Sequence, residues 1–398
     1  MKVHLAPARV RGFRFAGVSA GLKTQAGAKD LGLIAVDRPC PAAAVFSANK
    51  VKAAPVYATM DRIRDGQLQA VVANSGCANS FTGKPGFKLA EDSCAATARA
   101  LGCSSRMVAP SSTGVIGHLY DLAKFSAGVR AAAAALREDG LEDFARAIMT
   151  TDTRPKIASA TLRLGGATTT IAGAAKGVGM ISPHMATMLA YVVTDAAASS
   201  AQLRAALKLA LPESFNAITV DGDMSTNDTV ILIASGAAGN RSLRGRDLAA
   251  FNRAIAAVCA ALARELVRDG EGATKLVTID VRGARTPADA ERCARQIANS
   301  PLVKTAFFGC DPNVGRILMA AGSSGAAVEA DRLVLSIGGV KVAARGALLI
   351  TALGAAQEKM RAREFRVSLD LRLGAARATI LTCDLSYDYV RINAEYTT

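Results

Sequence analysis

The sequence predicts an α+β fold, and three stretches predict it. In 246–268, Phe251, Ile255, Val258, Leu262 and Leu266 recur at steps of three and four, which stacks them on one face of a helix. In 366–373, Val367, Leu369, Leu371 and Leu373 alternate strictly with Arg366, Ser368, Asp370 and Arg372, the period of a strand with one wet face. Residues 1–85 interrupt short apolar runs with Gly, Pro and Asn, the punctuation of strands and loops. The chain changes character near 270–285, which divides it into a first domain over 1–275 and a smaller α+β domain over 276–398.

Along the chain, 87–102 reads as a helix with no internal breaker, stopped by Gly102. Two further helices lie around Gly140 in 125–153. Short strands follow near 159–164 and 168–172. A Gly-rich stretch, KGVGMISPHMATMLAY (176–191), then leads through Thr187 into an apolar, strand-like run. Residues 202–211 are helical, 218–220 and 229–236 are strands with the polar DGDMSTND loop between them, and 287–299 is another helix. Strands dominate from about 333 to the end. The tail, VRINAEYTT, closes an alternating strand and keeps apolar residues near its end, so it is expected to be packed in.

Hydrophobic residues make up 51% and charged residues 20% of the 398, enough for a sizeable core and against global disorder. No apolar run approaches the roughly 18 residues of a membrane helix. The N-terminus has charges but no apolar core of a signal peptide, so a cytoplasmic protein without membrane partners is expected. The eight cysteines form no C-x-x-C pair and the three histidines lie far apart, which argues for reduced thiols and against a metal site. The net charge of +15 is not gathered into basic runs interleaved with aromatics, so it reads as a solvated surface and not as a nucleic-acid interface.

Four motifs carry candidate chemistry. Thr187 sits between Ala186 and Met188 where loose chain meets a buried strand. A Thr hydroxyl needs a base, and a chain cut before Thr187 would supply one as its own α-amine; a Thr opening a strand is equally an ordinary β-former. PSSTGVIG (110–117) sets hydroxyls and backbone N–H groups together, as an oxyanion site or a plain loop would. VDGDMSTNDT (220–229) lacks the central Gly and terminal Glu of a calcium loop. In DGEGATK (269–275), Glu271 between two glycines is open to a cation, or belongs to a helix-capping loop.

ANSGCANSFTG, PSSTGVIG, TTDTRPK, KGVGMISPHMATMLAY, VDGDMSTNDT, GEGATK, NSPLVKTAFFGCDPNVGRI and YVRINAEYTT resemble, in order, the signature segments of the ornithine acetyltransferase (ArgJ) family, the glutamate N-acetyltransferases of arginine biosynthesis. The resemblance runs from about residue 10 to 398. It implies an α/β sandwich like that of self-cleaving aminopeptidases, and a self-made cut between Ala186 and Thr187 into an α chain, 1–186, and a β chain, 187–398. It implies Thr187 as nucleophile, Thr113 and Gly114 as the oxyanion hole, and Thr150, Lys176, Thr187, Glu271, Asn393 and Thr398 as substrate contacts. Lys176 suits a carboxylate and Glu271 an ammonium group. The implied reaction moves the acetyl group of N2-acetylornithine to glutamate through acetyl-Thr187, with no cofactor and an α2β2 heterotetramer; the resemblance is compatible both with acetyl-CoA as a further co-substrate and with an enzyme that does not use it. A hydrolase of the same self-cleaving fold is the alternative. Cys77 and Val314 depart from the family pattern, where Asn and Trp are common.

Overall fold

The structure is a computed structural model that describes residues 1–181 and 188–395. Its contacts divide it into two compact units, one built from Met1–Asn216 and Met224–Leu266, the other from Ala217–Asp223 and Val267 onward.

The first unit is organised by a nine-stranded sheet. Its main path runs Val3–His4, Lys156–Leu164, Ala167–Lys176, Leu189–Thr194, Thr229–Ala234, Leu31–Phe46, Gln67–Cys77, Val108–Val115, and Phe13–Val18 pairs with Leu31–Phe46 off this path. The Leu31–Phe46 strand belongs to two halves. Its first part lies between Phe13–Val18 and Gln67–Cys77, whereas Ala42–Phe46 pair with Thr229–Ala234. Its register shifts between Ala35 and Cys40, and such an irregularity lets a strand bend.

The two halves face each other across one core. Phe13, Phe15, Ile34, Val71 and Ala73 come from one half, and Ala172, Ala174, Tyr191, Ile231 and Ile233 from the other. Phe144 enters edge-on to Tyr191, with ring centroids 5.1 Å apart. On the outer face of the first half, Leu33, Val72 and Val108 meet Leu89, Cys94, Phe125 and Val129 of the helices Gly83–Leu101 and Leu122–Ala134. Behind the second half, Leu262 of the helix Gly245–Arg268 presses on Gly173, where a Cβ would stand 3.1 Å from Leu262 Cδ1. The result is the expected sandwich of helices, sheet, sheet and helices. Sheets covered on both faces need apolar residues at every position, and Leu189–Thr194 and Thr229–Ala234 are buried throughout.

The second unit has a six-stranded sheet in the order Ala347–Leu348, Val340–Ala344, Val334–Ile337, Glu364–Asp370, Leu276–Ala284, Ala376–Cys383. One face is covered by helices Pro287–Asn299, Pro301–Phe308, Val314–Gly322 and Leu353–Met360. The alternation in 366–373 appears as burial, with Val367, Leu369 and Leu371 inside.

Two expectations are corrected. Residues 218–220 form no strand: a single parallel bridge joins Ile218 to Leu381. The last described residues do not form the extended, packed segment expected of them. Tyr387–Glu395 is a helix, with Tyr387 and Val390 strongly exposed. Its apolar residues had looked like strand signal, but Tyr387, Val390 and Ala394 fall at helical steps of three and four.

Candidate active site

Ala186, Thr187 and Thr398 lie outside the described residues. The site is therefore built from what surrounds their described neighbours. Thr113 and Gly114 lie at the end of the Val108–Val115 strand, which runs parallel to Gln67–Cys77. The pairing is regular up to Gly76–Gly114, and then Cys77 opposes both Thr113 and Val115. At this bulge the two backbones come very close. A Cβ on Gly114 would lie 2.4 Å from the carbonyl carbon of Gly76 and 2.6 Å from the Cys77 nitrogen, and Gly114 has φ +126°. Only glycine takes that conformation without strain and fits the space.

Side-chain amides hold the bulge in shape. Ser112 Oγ donates to Asn74 Oδ1 at 2.6 Å, and Asn74 Nδ2 donates to the Cys77 carbonyl at 2.9 Å. Asn227 Nδ2 donates to the carbonyls of Ala78 and Ser112 at 2.7 and 2.8 Å. In the sequence, ANSGCAN stands only as a signature and VDGDMSTNDT as a signature and a rejected calcium loop. In the structure, both supply amides that pin the end of the Val108–Val115 strand.

Lys176 ends the Ala167–Lys176 strand beneath this bulge, its side chain 3% exposed. Its Nζ donates to Thr150 Oγ1 at 2.7 Å and to Thr113 Oγ1 at 3.2 Å. Because the Thr113 oxygen accepts from Lys176, its own hydroxyl hydrogen can point elsewhere, as an oxyanion donor must. Asp152 lies alongside, fully buried at its carboxylate. It accepts from Thr150 N and Gly177 N, both at 2.9 Å, and from the Lys156 ammonium, and it is 3.9 Å from Lys176 Nζ. Burial alone would raise its pKa, but Lys156, Lys176 and the Gly177 N–H outweigh burial and hold it well below the usual carboxylate range.

The described residue next to Thr187 is Met188. Its N–H donates to Asp228 Oδ1 at 3.0 Å, and its carbonyl accepts from Thr229 N at 3.2 Å. Asp228 is 1% exposed, and burial pushes its carboxyl well above the ordinary value against the opposing pull of the Met188 N–H. Asp152, Lys156 and Asn227 escaped the sequence reading, and Asp228 entered it only as part of the rejected calcium loop. Their signal was polar and charged residues in stretches flanked by buried strands, inside motifs quoted for Thr150 and for the loop alone.

In the second unit, Glu271 and Asn393 are brought together. Asn393 Nδ2 donates to Glu271 Oε2 at 2.9 Å. The loop holding Glu271 is pressed against the start of the last helix. A Cβ on Gly272, whose φ is +66°, would stand 2.5 Å from Tyr389 N and 2.7 Å from Ser386 Oγ. The Tyr389 phenol is pushed up, first by burial and then by the negative charges of Asp221, Asp223 and Glu271. This cluster is acidic and suits a cation.

The two departures from the family pattern are packing positions. Cys77 Sγ donates to the His118 carbonyl at 3.1 Å. Val314 opens the Val314–Gly322 helix and is buried in the core of the second unit. Among the described residues no group of His, Cys, Asp and Glu could hold a metal ion, and no helix is long and apolar enough to cross a membrane.

A sandwich with a glycine-tight strand end and a buried ammonium on that strand's threonine is a framework that suits an acyl-transfer enzyme. The ArgJ family model matches residues 14–398, so the chain belongs to that family. It is 50% identical over 390 residues to the arginine biosynthesis bifunctional protein ArgJ of Symbiobacterium thermophilum, covering 97% of each chain. It is likewise 50% identical over 395 residues to the protein of that name from Geobacter sulfurreducens, covering 98% of this chain and 100% of the relative. Among solved structures, ornithine acetyltransferase from Mycobacterium tuberculosis complexed with ornithine is 36% identical, with a TM-score of 0.42. That match covers 47% of this chain and 100% of that one.

Proposed function

We propose that this chain is the arginine-biosynthesis acetyltransferase that moves the acetyl group of N2-acetylornithine to glutamate, through an ester on Thr187. The observation that carries the reading is the Thr113–Gly114 strand end with Lys176 Nζ bonded to Thr113 Oγ1.

The enzyme first cuts itself. Thr187 Oγ attacks the Ala186 carbonyl carbon, the peptide C–N bond breaks as the acyl group moves to oxygen, and water hydrolyses the ester. Thr187 is left with a free α-amine, which is the base its hydroxyl lacked. In turnover, Thr187 Oγ attacks the acetyl carbonyl of N2-acetylornithine while its proton passes to that amine. Thr113 and Gly114 meet the oxyanion, where one donor typically contributes about 10²–10³ in rate. The C–N bond then breaks, the proton goes to the leaving amine, and ornithine departs. The neutral amine of glutamate attacks acetyl-Thr187 by the reverse route, and N-acetylglutamate leaves.

Lys176 and Thr150 take the substrate carboxylate, Glu271 with Asn393 takes the ornithine ammonium, and Thr398 completes the contacts. The chemistry uses no cofactor. Acetyl-CoA is a second acetyl donor, in keeping with the bifunctional name of the relatives. The α and β chains assemble as an α2β2 heterotetramer in the cytoplasm.

Intact mass under denaturing conditions tests the first step. The expected result is two fragments meeting at Ala186–Thr187, with Thr187→Ala remaining one chain. One uncut chain in both samples removes the threonine mechanism. Acetyl loss from N2-acetylornithine that yields acetate at the same rate with and without glutamate would replace the transferase by a hydrolase.

A further inference from the structure

The two substrates of the proposed reaction differ at one end. N2-acetylornithine carries one carboxylate and a distal ammonium, whereas glutamate carries two carboxylates. Glu271, assigned to the ornithine ammonium, has the wrong charge for the second carboxylate of glutamate. The acceptor therefore needs a cation that the donor does not use.

A loop over the end of the Gln67–Cys77 strand supplies one. Gly76 pairs with Gly114 across the parallel strands, and its φ is +101°. A Cβ on Gly76 would stand 2.8 Å from the Leu22 carbonyl oxygen and 3.1 Å from Lys23 Cγ, so the stem of Lys23 lies on the residue that faces Gly114. Asp30, fully buried, fixes this loop. Its carboxylate accepts from Ala20 N and Leu22 N at 2.6 Å and from Lys23 N at 3.0 Å, and its carbonyl accepts from Ser75 N at 2.8 Å. Lys23 is itself half-buried, and its Nζ donates to the Lys29 carbonyl, a neutral acceptor, at 2.9 Å. Burial lowers its pKa and Asp30 opposes that fall; Lys176 lowers it further and Asp152 opposes, so its ammonium stands within electrostatic reach of both of these site residues. Two neighbouring ammonium groups are already on carboxylates, Lys29 on Asp143 and Lys156 on Asp152.

We propose that Lys23 takes the side-chain carboxylate of glutamate while Lys176 takes the α-carboxylate, which makes Lys23 the residue that selects a dicarboxylic acceptor. This deepens the reading above and rests on it for the role of Lys176. A dianion held between the two ammonium groups offsets their mutual repulsion, so both contacts favour glutamate. The donor has no second carboxylate and leaves Lys23 on the Lys29 carbonyl.

The test compares glutamate with glutamine as acetyl acceptor, two molecules that differ by the one side-chain charge, on the purified full chain with N2-acetylornithine as donor. Wild type is expected to prefer glutamate in kcat/KM by about tenfold or more. Lys23→Gln should raise KM for glutamate about tenfold or more and abolish that preference, while KM for N2-acetylornithine moves by less than about threefold. Lys23→Arg, which keeps the charge, should keep the preference. A merely structural role would weaken both acceptors alike in K23Q and leave their ratio as in wild type, and that result overturns the proposal. So does a glutamate KM in K23Q within about threefold of wild type. If K23Q does not fold, reductive methylation of the wild-type chain decides, read at Lys23 by peptide mass spectrometry. N-acetylglutamate should protect Lys23 and N-acetylglutamine should not; equal labelling with the two overturns the proposal. The two readings fail differently. A wild type that releases acetate at the same rate with and without glutamate removes the transferase and this proposal with it, whereas glutamate-dependent transfer that K23Q leaves unchanged removes the role of Lys23 alone.

Discussion

Gly114→Ala is the substitution for which the structure makes the sharpest demand. The new Cβ would be 2.4 Å from the Gly76 carbonyl carbon and 2.6 Å from the Cys77 nitrogen, both backbone atoms that no rotamer change can move aside. The residue must also keep φ +126°. A residue held in so sparsely populated a region costs about 1–3 kcal/mol. The two strand ends must then part, and parting them moves the Thr113 hydroxyl and the Gly114 N–H away from a developing oxyanion. Losing one such donor lowers kcat by about 10²–10³, or roughly 2.7–4 kcal/mol of transition-state stabilisation. The stability loss is expected as a fall in the thermal midpoint of about 2–4 °C for each kcal/mol in a unit of this size. Steady-state acetyl transfer and a melt on the same preparation measure both. The catalytic loss should exceed the loss of stability, because strain is present in the free enzyme whereas donor geometry matters only in the transition state. A G114A enzyme with kcat within about threefold of wild type, whatever its melting point, would refute the oxyanion assignment.

Further outcomes are expected elsewhere. Asn227→Ala leaves the Ala78 and Ser112 carbonyls without their side-chain donor, and should cost about 2–4 kcal/mol in urea unfolding together with a fall in kcat; a stability loss with unchanged kcat would confine Asn227 to the scaffold. Glu271→Gln keeps the bond from Asn393 and removes only the charge, so KM for N2-acetylornithine should rise about tenfold, equivalent to about 1.4 kcal/mol, as read from initial rates. Asp228, its carboxyl raised by burial, contributes stability that is present below its unfolded pKa of about 3.9 and lost as pH rises through its folded value. The urea midpoint of Asp228→Asn should therefore gain on wild type as pH is raised from about 4 to about 7. Asp152 has the opposite sign: its folded pKa is depressed, so its contribution is present above about 3.9 and fades as pH falls.

Elements whose period is set by one covering layer were legible. The Gly245–Arg268 helix and the Glu364–Asp370 strand have one buried face each, and their sequences show it. Helices Pro301–Phe308 and Val314–Gly322 went unread, although each carries a capping residue: Ser300 accepts from Val303 N, and Asn313 accepts from Arg316 N. They are short, and a cap without a long apolar period is a weak signal. The site was legible in a different way. The motif resemblance pointed to Thr113, Gly114, Lys176, Glu271 and Asn393. Asp152 accepts from Gly177 N, beside Lys176, across 25 positions of chain, and Asn227 reaches the Ser112 carbonyl, beside Thr113, across 115, and no local pattern records such contacts.

The strand order of the first unit bears on what a cut at Ala186–Thr187 would produce. Leu189–Thr194 and Thr229–Ala234 come after that point, and they lie between Ala167–Lys176 on one side and Leu31–Phe46 on the other, which come before it. The two fragments are interleaved inside one hydrogen-bonded sheet. They are partners that never meet as separate molecules, and neither can leave without tearing the sheet along two seams. Dilution should not part them. Fragments made separately would have to assemble a common sheet from unpaired edges, the circumstance in which chains aggregate. For such an enzyme, quaternary structure between the halves is an inheritance from folding and not an equilibrium of binding.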